Sequence, residues 1–124
     1  MSYESCCEPL HREKQRAATA EQLMRSRYSA FALAEVDYLI ATHPDSLTPL
    51  LQRRKELRKN CREVRWLGLK IKAVEAGGVD DLEGTVIFEA IFGAGGQRNV
   101  MAETSLFQRR DGDLKGHWLY IKPL

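Results

Sequence analysis

At 124 residues the chain fits one domain and is too short for two ordinary ones. With 44% hydrophobic and 29% charged residues it has enough apolar material for one core, which excludes a disordered chain. Its 19 basic and 17 acidic residues leave +2, too even a balance for nucleic-acid binding to be the main task, and no apolar run approaches the roughly 20 residues that span a bilayer.

Residues 1–18 read as polar and irregular, and hold Cys6, Cys7, Pro9 and His11. Neither a basic n-region nor an apolar h-region opens the chain, so no secretory leader is expected. Three cysteines, two of them adjacent, make a poor disulfide framework, and the setting read from them is a reducing cytoplasm. Thr19 then opens a helix. Gln22, three residues on, completes the capping-box spacing in which each side chain satisfies an orphaned backbone N–H. Met24, Tyr28 and Phe31 recur at helical spacing, widened by Leu23 and Ala30, so this helix is predicted to run to about Ala34.

A short helix is predicted over Val36–Thr42 and ends at His43-Pro44, because Pro44 disfavours helical geometry at His43. A third helix, Leu47 to Asn60, carries mixed charges that read as a solvated face, with Leu50, Leu51 and Leu57 expected inward. The period then changes to two. Arg65–Val74 places Leu67, Leu69 and Ile71 on one face, and Glu83–Phe92 places Val86, Phe88, Ala90 and Phe92 together. Asn99–Arg109 aligns Met101, Glu103, Ser105 and Phe107, and His117–Lys122 aligns Trp118 with Tyr120. Glycine-rich turns at 77–81, 93–96 and 111–113 separate the strands. Helices first and a four-stranded meander afterwards is an α+β pattern, with a pocket expected on the concave face of a curved sheet.

The stretches Cys6-Cys7-Glu8-Pro9-Leu10-His11 and Leu23-Met24-Arg25-Ser26-Arg27-Tyr28-Ser29-Ala30-Phe31 resemble the bacterial YchJ family. So do Asp37-Tyr38-Leu39, Thr42-His43-Pro44, Trp66-Leu67-Gly68-Leu69, Glu103, Ser105, Phe107, Asp111-Gly112 and Trp118-Tyr120. The resemblance implies a cone-shaped fold like nuclear transport factor 2, over residues 19–124, and a family without a settled biochemical activity. It also implies a SEC-C motif ahead of that domain, paired cysteine segments suited to zinc. Tyr3-Glu4-Ser5-Cys6-Cys7 matches the second half of that motif and the first half is not in this sequence, so residues 1–18 read as its remnant. Ala102 stands where the family pattern leads one to expect histidine.

Each candidate residue has a structural and a functional reading. Cys6, Cys7 and His11 fall short of the four ligands of a structural zinc, so no metal is expected without a complete SEC-C segment. Arg25 and Arg27 flank the apolar stripe, and a guanidinium at the core edge needs an acceptor; an ion pair to Glu103 is expected, with anion binding as the alternative. His43 suits proton transfer near neutral pH if Glu103 or Asp37 lies within reach. Tyr28, Tyr38, Trp66, Trp118 and Tyr120, with Ser105, mark where a pocket would lie. The outer sheet face, with Thr85, Ile87, Ile91 and Leu119, is a candidate homodimer surface. The function expected is a small-ligand or protein-binding module without catalysis. The alternatives are an isomerase or dehydratase using His43 with an acid, and the core of a zinc-dependent interaction protein.

Overall fold

The computed structural model describes residues 7–12, 15–45 and 47–124, so the expectations attached to Tyr3, Glu4, Ser5 and Cys6 lie outside it. Within the stretch read as irregular, Pro9 helps open a single helical turn, α1 (Glu8–His11). That turn buries Cys7, Leu10 and His11 beside the next helix.

The long N-terminal helix, α2 (Ala20–Leu33), starts where its cap demands. Thr19 is extended and its Oγ1 accepts from the Gln22 N–H at 3.1 Å, while Gln22 Oε1 accepts from the Ala18 N–H at 2.6 Å. The helix ends on Ala34 in the left-handed region, φ 59°, with the Glu35 N–H closing onto the Ala30 carbonyl at 2.8 Å. After it come α3 (Val36–Ala41) and α4 (Leu50–Glu63).

The start of α4 departs from the predicted Leu47. Asp45 Oδ1 accepts from both the Leu47 and Thr48 amides, forming a local turn, and Pro49 then holds an extended ψ of 143° as the N-cap. Two of the inward leucines are corrected with it, since Leu50 and Leu51 are 51% and 82% exposed, whereas Leu57 is half-buried and faces Arg27, Phe31 and Leu39.

The strands β1 (Arg65–Ala76), β2 (Glu83–Ala94), β3 (Gln97–Arg109) and β4 (Trp118–Pro123) form one antiparallel sheet in sequence order. Val86, Phe88 and Ala90 of β2 share the inner face with Ser105 and Phe107 of β3, as their alternation predicts. In β1 the alternation misleads. Trp66 pairs with Phe92 and Gly68 with Ile91, so Leu67 is an extra residue in a bulge. The parity flips there: Trp66 shares the half-buried side with Leu69 and Ile71, and Leu67 is half-exposed. Leu119, expected on the open outer face, is buried at 6% exposed, in a cleft it lines with Ala41 and Thr42.

One end of the sheet is closed tightly by small residues. The Ala20 N–H donates to the Gly77 carbonyl at 2.9 Å, and a Cβ on Gly84 would stand 2.4 Å from the Gly77 Cα. Leu23, Phe107 and Trp118 fill the core at that end. No helix among the described residues is long and apolar enough to cross a membrane.

Candidate functional site

The outer half of α2 carries larger residues and leaves space between helix and sheet. Met24, Arg27, Tyr28 and Phe31 face Trp66 of β1, Phe88 and Ala90 of β2, Met101, Glu103 and Ser105 of β3, and Tyr120 of β4. The space, closed at one side by Asn60 of α4, is a cavity of about 250 Å³. Its aromatic wall is continuous: the Trp66 ring lies 5.7 Å from Tyr28, 6.0 Å from Phe31 and 5.6 Å from Phe92. The Trp66 indole N–H is buried and has no acceptor among the described residues.

At the polar end, Ser105 and Tyr120 both donate their hydroxyls to Glu103 Oε2, the tyrosine at 3.2 Å. Burial, and then the Glu103 charge, push the Tyr120 hydroxyl up to about 12, so it remains a donor at neutral pH. Arg27 is 7% exposed. Its Nη1 donates to the Leu39 carbonyl at 3.0 Å and to Thr42 Oγ1 at 2.6 Å, and its guanidinium carbon stands 5.0 Å from the Tyr120 ring centre. Burial pulls its pKa down to about 10, which leaves it charged at neutral pH.

The expected ion pair of Arg25 or Arg27 with Glu103 is therefore corrected. Arg25 is exposed and pairs with Glu21 one turn away on its own helix, at 3.0 Å. Arg27 anchors α2 to α3 through a carbonyl and a hydroxyl, and no carboxylate lies within ion-pair distance of it among the described residues. Glu103 is held instead by hydroxyls from its own sheet.

His43 is not in this cavity. It lies in an adjoining one of about 360 Å³ with Asp45, Thr48, Arg53 and Glu56, and the two spaces share Arg27, Phe31 and Asn60. Its Nδ1 lies 2.9 Å from the Tyr120 carbonyl, and a carbonyl only accepts, so Nδ1 carries the proton. No hydrogen bond joins His43 to Glu103. Asp37, the other acid considered, is exposed and paired with Arg54.

Tyr38 and Trp118 line a separate cleft, beyond the other side of α2. Ser26 Oγ donates to the Leu23 carbonyl at 2.8 Å, so the Tyr38 hydroxyl, 2.7 Å away, donates to Ser26. The Trp118 indole N–H donates to the Ala18 carbonyl at 3.1 Å. Of the residues singled out, the cavity thus brings together Arg27, Tyr28, Trp66, Glu103, Ser105 and Tyr120. Sequence reasoning did not assign Met24, Phe31, Phe88, Ala90, Met101 and Asn60 to it. All but Asn60 sit on faces the periodicity identifies, where wall and core look alike; Asn60 carried no signal.

Cys7 and His11 lie on or beside α1, with the His11 Nε2 donating to the Ser26 carbonyl at 2.7 Å and the Ser29 hydroxyl 3.5 Å from the Cys7 sulfur. No three His, Cys, Asp or Glu side chains converge among the described residues. Those residues do not by themselves make a four-ligand zinc site.

Residues 19–123 match the family model described as YchJ, middle NTF2-like domain. A UPF0225 protein of Chromobacterium violaceum is 45% identical over 109 residues, covering 87% of this chain and 75% of that one. Another, of Ralstonia nicotianae, is 39% identical over 125 residues, covering 97% and 83%. Among solved structures, a SEC-C motif containing protein of Rhodopseudomonas palustris superposes with a TM-score of 0.79 at 31% identity, covering 99% of this chain and 91% of that one. One from Psychrobacter arcticus gives 0.78 at 28% identity, covering 99% and 72%.

Proposed function

This chain belongs to the YchJ family, whose middle domain has the nuclear-transport-factor-2-like α+β fold, and from that footing we propose that it binds a small, largely apolar molecule in the cavity between α2 and the sheet, without catalysis. The observation that carries the reading is the open cavity of about 250 Å³ lined by the apolar faces of Met24, Tyr28, Phe31, Trp66, Phe88 and Met101. A core that had evolved only to be filled would close over these side chains, whereas here their apolar faces border open space. An occupant that covers the aromatic wall takes that apolar surface out of water.

The cavity lies below the ~300–1,000 Å³ of drug-sized sites, which suits a single ring or a short branched chain. Absence of catalysis is supported by the separation of the two groups that proton transfer would need. Glu103 faces this cavity and His43 the next, with Tyr120 engaged by both through different atoms.

A screen of single-ring and short-chain fragments, followed by amide and indole N–H shifts, tests the reading. Saturable shifts are expected at Met24, Tyr28, Trp66, Met101 and Tyr120. The reading fails if fragments up to millimolar concentration leave these signals unmoved, or shift only residues on the outer sheet face and α4.

A further inference from the structure

The hydrogen-bonding groups left unmatched around this cavity are not evenly divided between donors and acceptors. Arg27 engages only Nη1; its Nε–H and both Nη2–H groups have no hydrogen bond among the described residues. Glu103, the one acid on the inner wall among the described residues, accepts both hydroxyls on Oε2, and its charge acts on Arg27 only from beyond ion-pair distance. A guanidinium 7% exposed, still charged and without a carboxylate in contact, is an uncommon arrangement in a folded domain, because burying a charge without its counter-charge costs several kcal/mol.

The place of Arg27 adds to this. With Phe31 and Asn60 it forms the neck shared by the inner cavity and the one holding His43. Beyond the neck Arg53 contributes a second positive charge and donates to the His43 carbonyl at 2.5 Å. The two acids there each engage one oxygen: Asp45 Oδ1 accepts from the Leu47 and Thr48 amides, and Glu56 Oε1 accepts from Gln52. The His43 Nδ1 proton is taken by Tyr120.

Resting on the small-ligand reading above, we infer that the natural ligand is a small aromatic carboxylate, its ring against Tyr28, Trp66 and Phe88 and its carboxylate on the unused N–H edge of Arg27 at the neck. The planar fork of a guanidinium matches a carboxylate with two parallel hydrogen bonds. The aromatic wall supplies the surface for the ring. The ligand then brings a counter-charge into direct contact with Arg27, where no carboxylate of the described residues lies.

Benzoate, benzamide and benzamidinium have nearly the same shape and differ in charge, so titrating the three into the wild-type protein isolates the charge. Benzoate is expected to bind at least roughly tenfold more tightly than benzamide, with the Arg27 Nε–H and Trp66 indole signals both shifting, and benzamidinium to bind least. Arg27→Lys keeps a charge without the fork and is expected to retain part of the preference; Arg27→Gln is expected to abolish it. Equal or tighter binding of benzamide or benzamidinium overturns the inference and leaves the cavity reading standing. So does failure of all three while other neutral fragments enter. If no fragment of any charge enters, both fall.

Discussion

The two tryptophans of this chain stand on the same sheet in opposite situations. Trp118 is 2% exposed, donates its N–H to Ala18, and lies under the Arg109 guanidinium at 4.6 Å. Trp66 is half-buried, borders a cavity, and has an N–H without an acceptor among the described residues. What separates them is the helix above. Where α2 presents Ala20 to Gly77, which in turn lies against Gly84, backbone meets backbone and the layers close. One and two turns on, it presents Met24, Arg27, Tyr28 and Phe31, and residues of that size hold helix and sheet apart. Closed core and open pocket are thus built from one helix by a gradient of side-chain size along it.

This contrast can be broken at either end. Trp118→Ala is expected to lose about 3–5 kcal/mol in urea denaturation, or to fail to fold, because it empties the closed core; a loss under 1 kcal/mol would mean that this end is not the tighter one. Gly84→Ala is expected to cost about 1–3 kcal/mol, since the new methyl has only the Ala76–Gly77 backbone to meet and the β1–β2 hairpin must open there. Wild-type stability in that variant would show that the close approach is not required. At the open end, Trp66→Phe is expected to change stability by less than about 1 kcal/mol, as losing part of the ring is offset by removing an unmatched donor. A loss comparable to that of Trp118→Ala would refute the distinction. Smallest is Ala34→Gly, expected to gain about 0.5 kcal/mol by relieving the left-handed residue that ends α2. Thermal melts of that variant, read beside fragment titrations, would show whether firming the helix end leaves the pocket unchanged.

How much of this was legible depends on whether the signal is local. The cap at Thr19 and Gln22 acts over three residues, so it was readable and the helix begins there. The face of β3 bearing Met101, Glu103, Ser105 and Phe107 follows from alternation alone. The bulge at Leu67 was not readable, because an extra residue in one strand is defined by its register against another. The start of α4 was partly legible: Pro49 is in plain view, but the Asp45 turn that delays the helix depends on which amides reach the carboxylate. Among the candidate site residues, Arg27 was singled out correctly as a guanidinium at the core edge and given the wrong partner. Nothing in the spacing distinguishes a carboxylate across the sheet from a carbonyl on the next helix.

The sequence by itself determined the layers of this protein: its helical half, its antiparallel meander and the inner faces. Periodicity, caps and turn residues act within a few positions, and they suffice for that. Only the tertiary structure decided that the cone is filled at one end and open at the other, that His43 and Glu103 face different spaces, and that Arg27 is buried with three N–H groups unengaged. These depend on distances between elements, and those are set by the sum of side-chain volumes across an interface, a quantity that no single segment carries.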